Sequence, residues 1–302
     1  MIAQYVIAFR EIFEAALIVG ILLVYLSKTS QKDVMNKFWM GVASAVIASI
    51  AISIIVWAAF GELPEESMTL FEGIAAIIAV IILTTMILWM SFQGRHMQEE
   101  LQSKVDRAIL RGSSFGFFIL AFIVVFREGF EIILFLLPFG ATDAGGTVTG
   151  AVLGLITALA IAYAIFRFGV KIELRKLFYF TSILLILLAA GIFGHGIHEL
   201  IDNQKAIGID TGWFGAPAYD LGLPANSLFH DEGVIGSVLA ALFGYASEME
   251  WGRLILQIAY LAIFLPVTVL AYRRPELFDF LIWRKKGNSE KRAKEDDNEK
   301  GV

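Results

Sequence analysis

The sequence contains no cysteine, and that absence excludes disulfides, thiolate metal sites and cysteine nucleophiles together. Charge is scarce too: Asp, Glu, Lys and Arg make up 18% of the 302 residues, against 58% hydrophobic residues. A soluble domain of this length has too little interior to hide so much apolar surface. No basic segment precedes the first apolar stretch, and Arg10 and Glu11 interrupt it. The start therefore does not read as a cleaved signal peptide, and the stretch is expected to be a retained helix. The formal net charge of −5 averages over two unlike faces and identifies no partner by itself. No nucleic-acid partner is expected.

What the sequence does have is a series of runs reaching the ~20 apolar residues needed to cross a bilayer. They predict an all-α polytopic membrane protein with seven transmembrane helices, at 3–27, 39–60, 72–92, 114–139, 147–167, 177–197 and 254–272. Of the 24 basic residues, 20 fall in the connections 28–38, 93–112 and 167–176 and in the tail from Arg273. That bias predicts an N-terminus outside and a C-terminus in the cytoplasm.

Span one then runs inward and span four outward. Spans 1–3 (about 3–92) and 4–6 (about 114–197) are therefore expected as two inverted three-helix repeats, a recurring transporter design. The outer loop 198–253 and an extra seventh span, 254–272, complete a membrane domain of residues 1–272. Residues 273–302 mix both charge signs densely and read as a solvated cytoplasmic tail. In the outer loop, "GAPAYDLGLPANS" (215–227) is expected to be irregular, and the apolar part of 231–245 a short helix at the interface. Trp57, Trp89, Trp213, Trp251 and Trp283 fall at span ends or in loops and read as interface anchors.

Two short stretches break the apolar pattern. "AFREIFEAALIVG" (8–20) and "VFREGFEIILFLL" (125–137) each set an arginine and two glutamates near mid-span. Helical spacing makes Arg10, Glu11 and Glu14 neighbours, and likewise Arg127, Glu128 and Glu131. A charge at that depth costs ~2.5–3.5 kcal/mol on the insertion scale, so these groups must face each other, a polar cavity or a bound ion. A packing-only ion-pair network predicts one carboxylate per arginine, because surplus charge adds desolvation cost. Here four carboxylates meet two guanidiniums, leaving a formal charge of −2. Such a centre calls for a cation: protons, Na⁺ or a multivalent metal. Carboxylate oxygens suit hard cations such as Fe³⁺, Mn²⁺, Mg²⁺ or Ca²⁺. Paired arginines would hold the carboxylates in register when the site is empty and keep the ion from being held too tightly.

The predicted outer face is acidic. Glu72 opens the third span, and "GHGIHEL" closes the sixth with His195, His198 and Glu199. These four residues sit where a helix meets the outer face and are candidates for an outer metal-gathering site. "HGIHE" also permits an enzyme reading, two histidines three apart beside a carboxylate. It lacks the HExxH spacing and leaves both mid-span motifs unexplained, so no enzymatic activity is expected.

Two R-E-x-x-E motifs, in the first and fourth of seven spans, resemble those of the oxidase-dependent iron transporter family, the high-affinity iron permeases of fungi and bacteria. "FEGIAAIIAVIILTTMILWM" (71–90) is similar to that family's third span, and "GHGIHEL" and "GSVLAALFGY" (236–245) to its sixth span and the segment before its seventh. The resemblance implies iron uptake across the plasma membrane. It makes Glu11, Glu14, Glu128 and Glu131 metal ligands, with Arg10 and Arg127 in the same motifs and Glu72 near the outer mouth. Iron, expected as Fe³⁺, is then the transported ion, with no permanent cofactor. The first motif departs from the family's R-E-G-x-E, with Ile12 where the second has Gly129, which bears on how closely another helix can approach. Only Met1 and Ile2 precede span one, so an oxidase, peroxidase or iron-capture protein is expected as a separate chain beside the surrounding lipids. The alternative reading is a proton- or sodium-coupled transporter of another solute or other divalent metal, with the same carboxylates as coupling sites.

Overall fold

The computed structural model describes residues 1–27, 32–60, 65–93, 114–168, 174–224, 226–230 and 233–274. The tail with Trp283 and the connection 94–113 lie outside the described residues. Six long helices come first: α1 (Ile2–Ser27), α2 (Lys32–Phe60), α3 (Glu65–Gln93), α4 (Ser114–Thr142), α5 (Ala144–Phe168) and α6 (Leu174–Ala206). A 3₁₀ turn (Gly212–Gly215), strand β1 (Pro217–Asp220), a ten-residue helix α7 (Val234–Phe243), strand β2 (Glu248–Glu250) and helix α8 (Trp251–Arg273) follow.

Five of the helices, α2, α3, α5, α6 and α8, are long and apolar enough to cross a membrane. At 26 and 29 residues, α1 and α4 match them in length and differ in carrying three ionisable residues each. The protein is a multi-pass, almost wholly helical membrane protein. Its outer surface agrees with that: Ile47, Ile54 and Ile55 on α2 are 67%, 61% and 66% exposed, a side-chain belt that only lipid covers well.

In lipid, apolar side chains alone do not drive helices together, so close packing through small residues decides the partners. α1 lies along α5, where Gly146, Gly150, Gly154, Ala158 and Ala162 recur every four residues on the buried face. A Cβ at Gly154 would stand 2.7 Å from the Phe9 nitrogen, so only glycine admits this backbone approach. α2 lies along α4, and α3 along α6. In that last pair a Cβ at Gly73 would meet the Gly196 carbonyl at 3.0 Å, and one at Gly196 the Gly73 carbonyl at 3.1 Å. The main core joins these pairs through Ile7, Leu83, Ile87, Phe135, Leu185 and Ile186, all fully buried. Tyr260 of α8 anchors that helix to α3 by a hydroxyl–hydroxyl hydrogen bond with Thr84, 2.5 Å long.

Two expectations change in detail. The stretch 215–227 is not wholly irregular, because β1 pairs antiparallel with β2, Pro217 opposite Glu250. A pair of four and three residues is too short to leave an alternating pattern, and Pro217 takes the first strand position, where no ladder donor is needed. The sixth helix does not stop at 197 but runs to Ala206. It therefore carries His198, Glu199 and Asp202 on a regular helical face instead of in a loop. The helix expected within 231–245 is α7, ended by Gly244 in the left-handed region at φ 63°.

Candidate functional site

The two motifs meet. Glu11 of α1 and Glu128 and Glu131 of α4 bring one carboxylate oxygen each to within 4.8 Å of one another. Glu14 stands on the same side of α1 as Arg10, its Oε2 3.6 Å from Nη2. Arg10 is 2% exposed; its Nη1 donates to Glu11 Oε1 at 2.8 Å. It also meets two sulfurs: Nη1 lies 3.2 Å from Met86 Sδ and Nη2 2.9 Å from Met90 Sδ, both on α3. Thioethers are weak acceptors, so this guanidinium is held in place but poorly neutralised by them.

Arg127 is arranged otherwise. Its Nε donates to Glu131 Oε1 at 2.8 Å and lies 3.9 Å from Glu128 Oε1, while its side chain stays 44% exposed. The guanidinium sits over the Trp89 ring at 5.1 Å, a cation–π contact.

The carboxylates are not used up by these pairs. Oε2 of Glu11, Glu14, Glu128 and Glu131, one atom from each motif glutamate, is buried and makes no hydrogen bond within the protein. An unsatisfied buried acceptor costs about 1–3 kcal/mol, more when charged. A network serving packing alone would not leave an unbonded oxygen on every one of the four glutamates, three of which lie within 4.8 Å of one another. Cations or protons would satisfy them.

A second group forms where α3 begins and α6 nears its end. The Gly73–Gly196 contact draws the two helices together, and it sets the buried Glu72 facing His195 and Glu199, the three ligand atoms within 4.8 Å of one another. His195 Nδ1 lies 3.7 Å from Glu199 Oε1. The sequence grouped His198 with these two, but the structure separates it. One helical step round α6, His198 Nδ1 pairs with Glu250 Oε1 at 2.7 Å, and Nε2 faces Asp202 Oδ2 at 3.4 Å. Burial pushes the Glu250 carboxyl up, but the hydrogen bond and charge of His198 outweigh it and hold Glu250 below the ordinary carboxylate range. Glu72 and Met86 are fourteen residues apart on α3, about 21 Å of helix rise, so one helix touches both the Glu72 group and the motif group.

Sequence reasoning missed Met86, Met90, Trp89 and Glu250. The methionines and Trp89 lie in an apolar span end, where such residues ordinarily pack or anchor. Glu250 is fifty-two positions from its partner His198, and no local spacing signals the pair.

The fold and the site define a polytopic helical membrane protein with an internal carboxylate cluster built from two copies of one motif. The chain belongs to the Iron permease FTR1 family, whose pattern matches residues 1–272. An uncharacterized protein of Archaeoglobus fulgidus is 39% identical over 274 residues, covering 91% of this chain and 96% of its own. Proteins named Ferrous iron permease EfeU are 33% identical in Yersinia pestis (91% of this chain, 94% of theirs) and 32% in Escherichia coli O6:H1 (90% and 97%). No solved structure matches the chain.

Proposed function

We propose that the protein is a plasma-membrane permease that carries iron inward, and that Glu11, Glu14, Glu128 and Glu131 hold the ion in transit. The observation that carries this reading is the set of four buried carboxylate oxygens without hydrogen-bond partners, one per motif glutamate. Family membership supplies the metal. The relatives in Yersinia pestis and Escherichia coli are named for ferrous iron, so Fe²⁺ replaces the Fe³⁺ that the motif resemblance implies. Charge supports the same choice: a divalent ion neutralises the −2 of the two motifs, whereas a trivalent one would leave a buried positive charge.

All seven long helices span the bilayer in this reading, with the N-terminus outside. The helix pairing supports two inverted repeats. First helix packs on fifth and fourth on second, while third packs on sixth; exchanging helices 1–3 with 4–6 leaves that pattern unchanged. Residues 1–272 are one membrane domain, and the rest is a tail. Outer acids gather the ion, Glu72 with His195 and Glu199 passes it on, and rocking of the repeats exposes the central carboxylates inward. No resident cofactor is required by this mechanism.

The test is ⁵⁵Fe uptake into proteoliposomes, as ascorbate-reduced Fe²⁺ and as citrate-held Fe³⁺. Glu14→Gln and Glu131→Gln should each lower Fe²⁺ uptake at least tenfold, and Glu72→Gln should mainly raise KM. Full uptake in the first two variants would remove the central site from the mechanism. Faster uptake of the ferric form would restore Fe³⁺.

A further inference from the structure

One cluster stands outside the proposed path. His198, Asp202 and Glu250 bring their ligand atoms within 4.8 Å of one another, a set that shares no residue with the Glu72 group beside it. Their arrangement is more specific than a patch of acids. Glu250 heads α8 at the N-cap position yet makes no side-chain cap hydrogen bond; its Oε1 pairs with His198 Nδ1 at 2.7 Å instead. It is 8% exposed, and its Oε2 is buried with no hydrogen bond in the protein. Pairing of Pro217 with Glu250 across β1 and β2, and the hydrogen bond from Trp251 N to Ala216 O at 3.0 Å, pin the backbone that carries it.

A carboxylate accepting from one ring nitrogen of a histidine orients the ring and leaves the other nitrogen as the one a metal takes, its proton being released on binding; this is the usual support behind a metal-bound histidine. Here that nitrogen is Nε2, and Asp202, one turn on, sets Oδ2 3.4 Å from it. Two ligands at about 2.1 Å from one ion, at angles between right and tetrahedral, stand about 3.0–3.4 Å apart. The His198 and Asp202 side chains are 35% and 44% exposed, so water can complete the coordination. Lys205, 44% exposed, lies 3.3 Å from the other Asp202 oxygen and 4.0 Å from Glu250 Oε1. It leaves Oδ2 clear and marks the spot as one that attracts positive charge.

We propose that His198 Nε2 and Asp202 Oδ2, with Glu250 as the positioning carboxylate, form a second, low-affinity site for a divalent first-row cation. It is the docking point from which iron reaches Glu72, His195 and Glu199. Its role in uptake rests on the permease reading; its existence as a cation site does not. A nitrogen–oxygen pair suits Fe²⁺ and Mn²⁺ while excluding a preference for Ca²⁺ or Mg²⁺.

The experiment uses the full chain in detergent, titrated with Mn²⁺ and followed by continuous-wave and pulsed electron paramagnetic resonance. His195→Gln is the background, to silence the neighbouring histidine. Bound Mn²⁺ should show ¹⁴N coupling in that background and lose it when His198→Gln is added. Asp202→Asn and Glu250→Gln should each weaken the ¹⁴N-coupled fraction about tenfold or more. Asp202 is half exposed, so its variant keeps the proposal falsifiable should the His198 variant fold poorly. No nitrogen coupling in the His195→Gln background, its persistence after His198→Gln, or unchanged binding in Asp202→Asn and Glu250→Gln would each overturn the site. Intact coupling in a protein that moves no iron would leave the site standing and sink the permease reading instead.

Discussion

The two motifs share a spelling and differ in setting. On α1, Arg10 is 2% exposed and wedged between Glu11 and two methionine sulfurs. On α4, Arg127 makes the same kind of pair with Glu131 but leaves 44% of its side chain accessible and rests on the Trp89 ring. The third motif position differs as well. Gly129 takes Ser49 of α2 so closely that a Cβ would lie 2.8 Å from the Ser49 Cβ, whereas Ile12 packs among Phe13, Leu17, Ala158 and Ala162. In the proposed transport cycle the α1 copy is a fixed wall of the site, and the α4 copy has a counter-charge with room to withdraw when an ion takes its place.

The sharpest way to break that comparison is to truncate each arginine. Arg10→Ala leaves Glu11 and Glu14 buried without their cation and should cost about 3–5 kcal/mol, seen as a large drop in detergent unfolding temperature and in folded yield. Arg127→Ala also leaves Glu128 and Glu131 buried without their cation, but water can enter where the half-exposed guanidinium stood. It should therefore cost clearly less than Arg10→Ala, with transport reduced more than stability. Equal destabilisation would erase the distinction.

Next in size is the backbone contact at the third position. Gly129→Leu forces α2 off α4 and should cost about 1–3 kcal/mol by overpacking, measurable as weakened thermal stability. Leu at position 12 nearly conserves volume and should cost under about 1.5 kcal/mol. The smallest effect belongs to Trp89→Leu. Losing a cation–π contact worth about 0.5–1 kcal/mol should change the iron KM a few-fold, and a Phe at that position should recover most of it. An unaltered KM in Trp89→Leu would show that the ring does not hold Arg127 for transport.

Much of this was legible in the sequence because the membrane makes charge conspicuous. Arg10, Glu11, Glu14, Arg127, Glu128 and Glu131 stood out against apolar runs, and helical spacing alone made each trio neighbours. The long helices followed from the length of the same runs, and Glu72 from its place at the edge of an apolar run, although α3 itself starts seven residues earlier at Glu65. The rest depends on contacts between segments distant in the chain. Nothing local tells His195 to face Glu72 while His198, three residues later, turns to Glu250; that is decided by the rotation of α6 once Gly73 and Gly196 meet. The asymmetry between the arginines was equally hidden, since Met86, Met90 and Trp89 belong to a third helix. The short β1–β2 pair was invisible because a few residues carry no period.

The position of those three side chains has a mechanical consequence. Met86 and Met90 brace one guanidinium and Trp89 the other, so both rest on a single rod whose far end bears Glu72. A small roll of α3 about its own axis would displace both positive groups together, because each leans on side chains of that one helix.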